Sequence, residues 1–227
     1  MLAGSDSLPG NCRAVRIRWP VWVVALGVAA VAGVTLAVVR ESRAPAATEP
    51  ATAPGFAAIA TWAAGARRAP DFDLTDQNGA PISLAALRGR PLIVTFIDPL
   101  CRNLCPLEAT ILMRMARRVP AGARPTIVSV SVNPWGDTKA NFALDAKHWR
   151  LGADWRWAVG PEAKLAAVWR EYQIQVQVQK KIVAGVTVRS IAHTEGSYVI
   201  DRNGYERALF LYPFTAADVA KVVTSLD

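Results

Sequence analysis

The stretch PLIVTFIDPLCRNLCP, residues 91–106 of a 227-residue chain, decides the fold. Pro91 to Ile97 is a continuous apolar run, the pattern of a strand buried on both faces in a parallel sheet. A short polar turn, Asp98-Pro99-Leu100, leads directly to Cys101 and Cys105. Pro106 to Val119 then reads as a helix with Leu107, Ile111, Leu112 and Met115 on one face. Pro fits a helix's first turn, where its missing N–H had no partner. A spacing of i, i+4 at a helix start puts both sulfurs on one face, within reach of each other or of one ion. The helix N-terminus favours negative charge, so it lowers the pKa of a thiol held there and populates the thiolate.

Working outward, Asp71 to Thr75 and Ala80 to Ser83 flank Asp76-Gln77-Asn78-Gly79, a tight hairpin whose Asn-Gly pair tolerates positive φ. Ser83 to Leu87 is a short helical turn ending at Gly89. Beyond the cysteine helix, Thr126 to Val132 is a second buried strand. Asp137-Thr138 caps a helix running to Trp149. Trp155 to Val159 is a third strand and Pro161 to Tyr172 a third helix. Gln173 to Gln179 alternates strictly, as an exposed or edge strand does. Ser197 to Ile200, the turn Arg202-Asn203-Gly204 and Tyr205 to Leu211 form a terminal hairpin, and Thr215 to Leu226 a final amphipathic helix. βαβ units followed by a hairpin and a helix give an α/β sheet covered on both faces. This is the order of a thioredoxin-like fold with an added N-terminal β-hairpin.

The domain at 69–227 is preceded by three segments. Residues 19–39 hold 21 consecutive uncharged residues, about 30 Å as a helix, enough to cross a bilayer. Trp19, Trp22, Arg18 and Arg40 mark its ends. We read it as an uncleaved single-pass anchor, although Ala44-Pro45-Ala46 offers a small-residue cleavage site. Arg13, Arg16 and Arg18 before the span, against Arg40 and Arg43 after it, place the tail 1–18 in the cytoplasm. The domain then lies on the extracytoplasmic side of the cell (inner) membrane. Residues 40–68, rich in Ala, Pro and Thr, read as a tether, with a short helix at Phe56 to Trp62. The net charge is +8, but from Arg68 onward 20 basic and 15 acidic residues are scattered without a basic stripe, so nucleic-acid binding has no support.

Of the three cysteines, Cys12 precedes the span; Cys101 and Cys105 lie where disulfides are permitted. A bond closing so short a loop removes little chain entropy. The pair is therefore chemical, either redox or metal-binding. His193, in Ile191-Ala192-His193-Thr194-Glu195-Gly196, precedes a strand that lies beside the cysteine helix in a thioredoxin fold. Two thiolates and one imidazole form a soft set suited to Cu(I) and adequate for Cu(II); a structural histidine is the alternative. His148 reads as a surface or packing residue, and Met113 and Met115 as core filler. A peroxidase would need Thr three residues before the reactive Cys, where Asp98 stands.

The segment from Ala69 to Asp227 resembles the Sco/SenC family of copper-binding, thioredoxin-like proteins. Four pieces carry the resemblance. They are Pro70-Asp71-Phe72-Asp73-Leu74-Thr75-Asp76-Gln77-Asn78-Gly79, the C-x3-C-P motif Cys101 to Pro106, Ser129-Val130-Ser131-Val132-Asn133-Pro134 with Asp137, and His193 followed by Tyr198-Val199-Ile200-Asp201. It implies Cys101, Cys105 and His193 as ligands of one copper ion. It also implies copper delivery to, or thiol reduction at, the copper site of cytochrome c oxidase subunit II or another thiol-rich acceptor. A metal-free thiol–disulfide oxidoreductase using Cys101 and Cys105 is the alternative. The chain departs from the family pattern at Ala192 and Asn133, where Asp is usual, and at Asp98-Pro99-Leu100. The first departure predicts a less firmly oriented histidine.

Overall fold

The computed structural model describes residues 57–226. The expected tail, the anchor at 19–39 and the first part of the tether lie outside them. Among the described residues no helix is long and apolar enough to cross a membrane.

An eight-stranded sheet forms the body. In chain order its strands are β1 (Ala60–Thr61), β2 (Asp73–Asp76), β3 (Pro81–Ser83), β4 (Leu92–Ile97), β5 (Thr126–Ser131), β6 (Trp155–Val159), β9 (Gly196–Ile200) and β10 (Glu206–Leu211). They stand side by side as β1-β10-β9-β4-β5-β6-β2-β3. β4, β5 and β6 run parallel, while β9 lies antiparallel to β4 with Thr95 opposite Ser197. The helices are α1 (Leu104–Arg118), α2 (Lys139–His148), α3 (Glu162–Glu171) and α4 (Ala216–Thr224). This is the α/β architecture expected, N-terminal hairpin included. In that hairpin only Gly79 takes positive φ, at 89°. The turn is tied by Asp76, whose Oδ1 accepts from the Asn78 and Ala80 amides.

All six residues of β4 are buried. Alternation sends Ile93 and Ile97 to one face, against α1 and α4, and Leu92, Val94 and Phe96 to the other, against α3. Thr138 and Thr215 cap α2 and α4 as Ncap residues should. The inward face of α1 differs from expectation. It carries Cys105, Glu108, Ala109, Leu112, Met115 and Ala116, while Leu107 points outward and is 50% exposed. The helix begins two residues before Pro106, because Asn103 Oδ1 accepts the Leu104 amide at 2.8 Å and caps it there.

One further segment corrects the sequence reading and another extends it. Ala60–Thr61, placed in a tether with a short helix, is a strand paired with Leu209 and Ala208 of β10. Arg67, from the same segment, sits 2.6 Å from the wholly buried carboxylate of Glu206. The fold therefore begins before Ala69. Gln173 to Gln179, expected as an exposed or edge strand, is an exposed strand from Val176 on and lies outside the main sheet. It opens a separate hairpin of β7 (Val176–Val183) and β8 (Val186–His193), paired from Val183↔Val186 at the tip to Val176↔His193 at the base.

Candidate metal centre

The carboxyl end of β4 and the first turn of α1 bring the two thiols into place. Cys101 lies in the connecting loop, its own amide bonded to Asp98 O at 3.0 Å. Its Sγ faces Asn103 Oδ1 at 2.9 Å and accepts the Cys105 amide at 3.4 Å. Cys105 is the second residue of α1 and is fully buried. Both thiols are free. A hydrogen bond from the Cys105 thiol, helped by the Asn103 and Cys105 amides, holds the Cys101 thiol down to about 6 against the cost of burial. The same bond, with burial and the nearby Glu195, pushes Cys105 far up. Of the pair, half-buried Cys101 is thus the thiol that ionises first, and buried Cys105 the one that keeps its proton.

His193 closes β8 and reaches Cys105 from 88 positions downstream, with Nε2 4.0 Å from Sγ. Its Nδ1 lies 3.1 Å from Thr194 O. A carbonyl only accepts, so Nδ1 carries the proton and the Nε2 lone pair points into the site. Burial lowers the histidine's pKa, which keeps the ring neutral. The orienting partner is thus a backbone carbonyl, and Ala192 offers no carboxylate beside it. Beside Ala192 and His193 a hollow of about 210 Å³ opens to solvent. Glu195 places Oε1 3.3 Å from His193 Nε2. Cys105 Sγ, His193 and a Glu195 oxygen all lie within 4.8 Å of one another, which makes them potential metal donors. Burial first, and Glu108 next to it, push the Glu195 carboxyl up to about 9. Glu108, wholly buried, accepts from Thr95 and Ser197 on Oε1, each at 2.6 Å.

A second polar knot shapes the cysteine loop. Asp98 Oδ1 accepts from the Leu100 amide at 2.7 Å and from Asn133 Nδ2 at 2.9 Å. Ser131 Oγ accepts the Asn133 amide and donates to Asp137 at 2.6 Å. Arg102 Nη1 fastens the loop's outer side, donating to Pro99 O, Cys101 O and Asp145. Burial, with Asp98 adding to it, already pushes Asp137 up to about 7. Asn133→Asp therefore sets one more carboxylate against Asp98. The expected loss of stability is about 2 kcal/mol at pH 8. It shrinks toward pH 5, where a buried carboxyl with raised pKa takes up its proton in the folded state. Adding Asp98→Asn restores most of it. Urea melts at both pH values read this out, and an Asn133→Asp variant as stable as the parent at pH 8 would contradict the contact.

A family model described as SCO1/SenC matches residues 61–226. The chain belongs to the SCO1/SenC family. A Stutzerimonas stutzeri protein named for copper binding is 30% identical over 88 residues, 38% of this chain and 43% of the relative. The chain thus spans less than half the length of that curated relative. Among solved structures, Bradyrhizobium japonicum ScoI with copper bound shares 22% identity, covering 70% of this chain and 99% of its own, with a TM-score of 0.58. BsSco is described as having a disulfide switch and as a member of the Sco family of cytochrome c oxidase assembly proteins. It shares 20% identity over 70% of this chain and 93% of its own, with a TM-score of 0.54. These structural likenesses establish the thioredoxin-like Sco fold.

Within this SCO1/SenC domain the three expected site residues fall in one neighbourhood. Cys105 and His193 approach directly; Cys101 adjoins Cys105 but stands outside the cluster that includes Glu195. His148 is exposed on α2 and Met115 lies in the core, as expected. Sequence reading missed Glu108, Glu195 and Asn103. Two of these carried a signal: Glu108 follows Cys105 by three residues on a helix, and Glu195 follows His193 by two.

Proposed function

We propose that this chain is a copper-binding assembly factor that holds one copper ion on Cys101, Cys105 and His193. On this reading it gives the ion up to a thiol-rich acceptor, with the copper site of cytochrome c oxidase subunit II as the expected destination. The residues 19–39 would keep the domain at the extracytoplasmic face of the cell membrane. The observation that carries the reading is the approach of His193 Nε2 to Cys105 Sγ, 4.0 Å across 88 positions of chain. The donor chemistry fits copper: two thiols and an unprotonated imidazole nitrogen suit Cu(I). Deprotonation of Cys105 is the main obstacle, and a bound cation offsets it, since a coordinating thiol loses its proton. Cys101 Sγ must leave Asn103 Oδ1 to join. Transfer then proceeds by exchange of these thiolates for those of the acceptor, and the half-buried Cys101 is the side open to attack. The relatives named for copper binding and for cytochrome c oxidase assembly support the same direction.

A second reading is favoured by the thiol energetics. Cys101, held near 6, is a nucleophile at neutral pH, and Cys105 is its buried resolving partner. The Cys101 thiolate would attack a substrate disulfide and form a mixed disulfide. Cys105 would then displace the substrate thiol, passing it a proton and leaving a Cys101–Cys105 disulfide.

Anaerobic titration of the reduced full chain with Cu(I), in competition with a chromophoric chelator, separates the two. The copper reading expects one ion per chain. Failure to compete, with intact turnover of a test disulfide, would leave only the oxidoreductase.

A further inference from the structure

We infer that Glu195 is an additional ligand of this centre, an oxygen donor engaged by divalent ions and left aside by Cu(I), so that the site distinguishes the charge of the metal it holds. This deepens the copper reading and rests on it for the identity of the cargo.

The geometry is direct. A Glu195 oxygen, Cys105 Sγ and a His193 ring nitrogen lie within 4.8 Å of one another, close enough to share one ion. Oε1 is 3.3 Å from His193 Nε2, the nitrogen whose lone pair faces inward because Nδ1 is bonded to Thr194 O. The other oxygen, Oε2, is buried and receives no amide or hydroxyl donor. A second observation points the same way. Glu108, wholly buried, is in hydrogen-bonding contact with Glu195; its Oε1 is engaged by Thr95 and Ser197, and its Oε2 receives no amide or hydroxyl donor. Two carboxyl groups are thus set side by side out of water, hydrogen-bonded to each other, beside a thiol and an imidazole. A divalent ion held among Cys105, His193 and Glu195 would engage the Glu195 oxygen as a carboxylate donor, with Glu108 buried behind it.

Donor hardness then decides which ion uses the carboxylate. Cu(I) is satisfied by thiolates and imidazole, whereas Cu(II) and Zn(II) take mixed sulfur, nitrogen and oxygen sets. Glu195 lies where the chain passes from β8 to β9, with its side chain 15% exposed.

Glu195→Gln keeps the shape and removes the carboxylate donor, and its amide can still donate to Glu108, so it should fold about as well as the parent. The test compares the full chain with this variant in three titrations: Cu(I), Zn(II) as a redox-inert divalent probe, and Co(II) for its visible spectrum. The expected result is a Zn(II) affinity at least about tenfold weaker, a shifted Co(II) ligand-field spectrum, and Cu(I) affinity unchanged within about twofold. Glu195→Asp should recover part of the Zn(II) affinity. Tight Cu(I) binding with Zn(II) affinity and Co(II) spectrum identical in parent and variant overturns this inference and leaves the copper reading standing. Absence of Cu(I) binding, with Zn(II) still dependent on Glu195, does the reverse.

Discussion

Cys105→Ser is expected to weaken Cu(I) binding by more than about a hundredfold, and His193→Ala by about ten- to a hundredfold, taking the usual loss for an outer partner as the lower bound for a true ligand. The order follows from softness: thiolate is the stronger donor to Cu(I) and imidazole the weaker. Cys105 also lies between the other two expected ligands, touching His193 on one side and Cys101 on the other. The same two variants separate metal from dithiol chemistry. Cys105→Ser removes the resolving thiol and stops disulfide turnover after the mixed-disulfide step, whereas His193→Ala leaves both thiols in place. Copper competition and reduction of a test disulfide, measured on the same preparations, give four numbers that only one assignment fits. A His193→Ala chain that binds Cu(I) as tightly as the parent would remove the histidine from the centre.

The strand–cysteine–helix unit was legible because its signals are local: an unbroken apolar run, a turn and a periodic helix. Its inner face was misread at one residue for a definable reason. Glu108 is charged and Leu107 apolar, so a hydrophobic pattern selects Leu107, yet the structure buries Glu108 in a cage of Thr95 and Ser197 and leaves Leu107 outside. A buried carboxyl is invisible to hydropathy. The hairpin of β7 and β8 was half seen. Its turn is Ala184-Gly185, and both residues take positive φ, 50° and 80°. Alanine at such a position gives no turn signal, so the return strand ending in His193 is not recognised from the sequence. The departures at Asp98 and Asn133, noted separately in the sequence, are partners in space: an amide replaces a carboxylate where a carboxylate now stands opposite. Pairing of that kind is set by the tertiary fold and has no trace in a single chain.

Arg67→Ala should destabilise the domain by about 3 kcal/mol at pH 8, although Arg67 stands in a segment that reads as tether. Glu206 opens β10 and its side chain is 0% exposed; Arg67 Nε approaches Oε2 to 2.6 Å. Neither carboxyl oxygen has an aligned hydrogen bond, so the ion pair is what compensates the buried charge. Arg67 is held in turn by the face of Trp62, 4.7 Å from the ring centre, and its carbonyl accepts the Glu206 amide at 2.8 Å. The alanine variant keeps the backbone bond and loses the guanidinium. Burial raises the Glu206 pKa, and Arg67 is the group that opposes this. Without Arg67 the folded-state pKa climbs further above its unfolded value, so the folded chain binds the extra proton as pH falls. The deficit is therefore greatest at pH 8 and narrows toward pH 5. Glu206→Gln in the same chain should recover most of it, because the charge that needed a partner is gone. Urea denaturation at the two pH values decides the matter. A loss below about 0.5 kcal/mol, the size of an ordinary surface substitution, or one that does not change with pH, would return Arg67 to the tether.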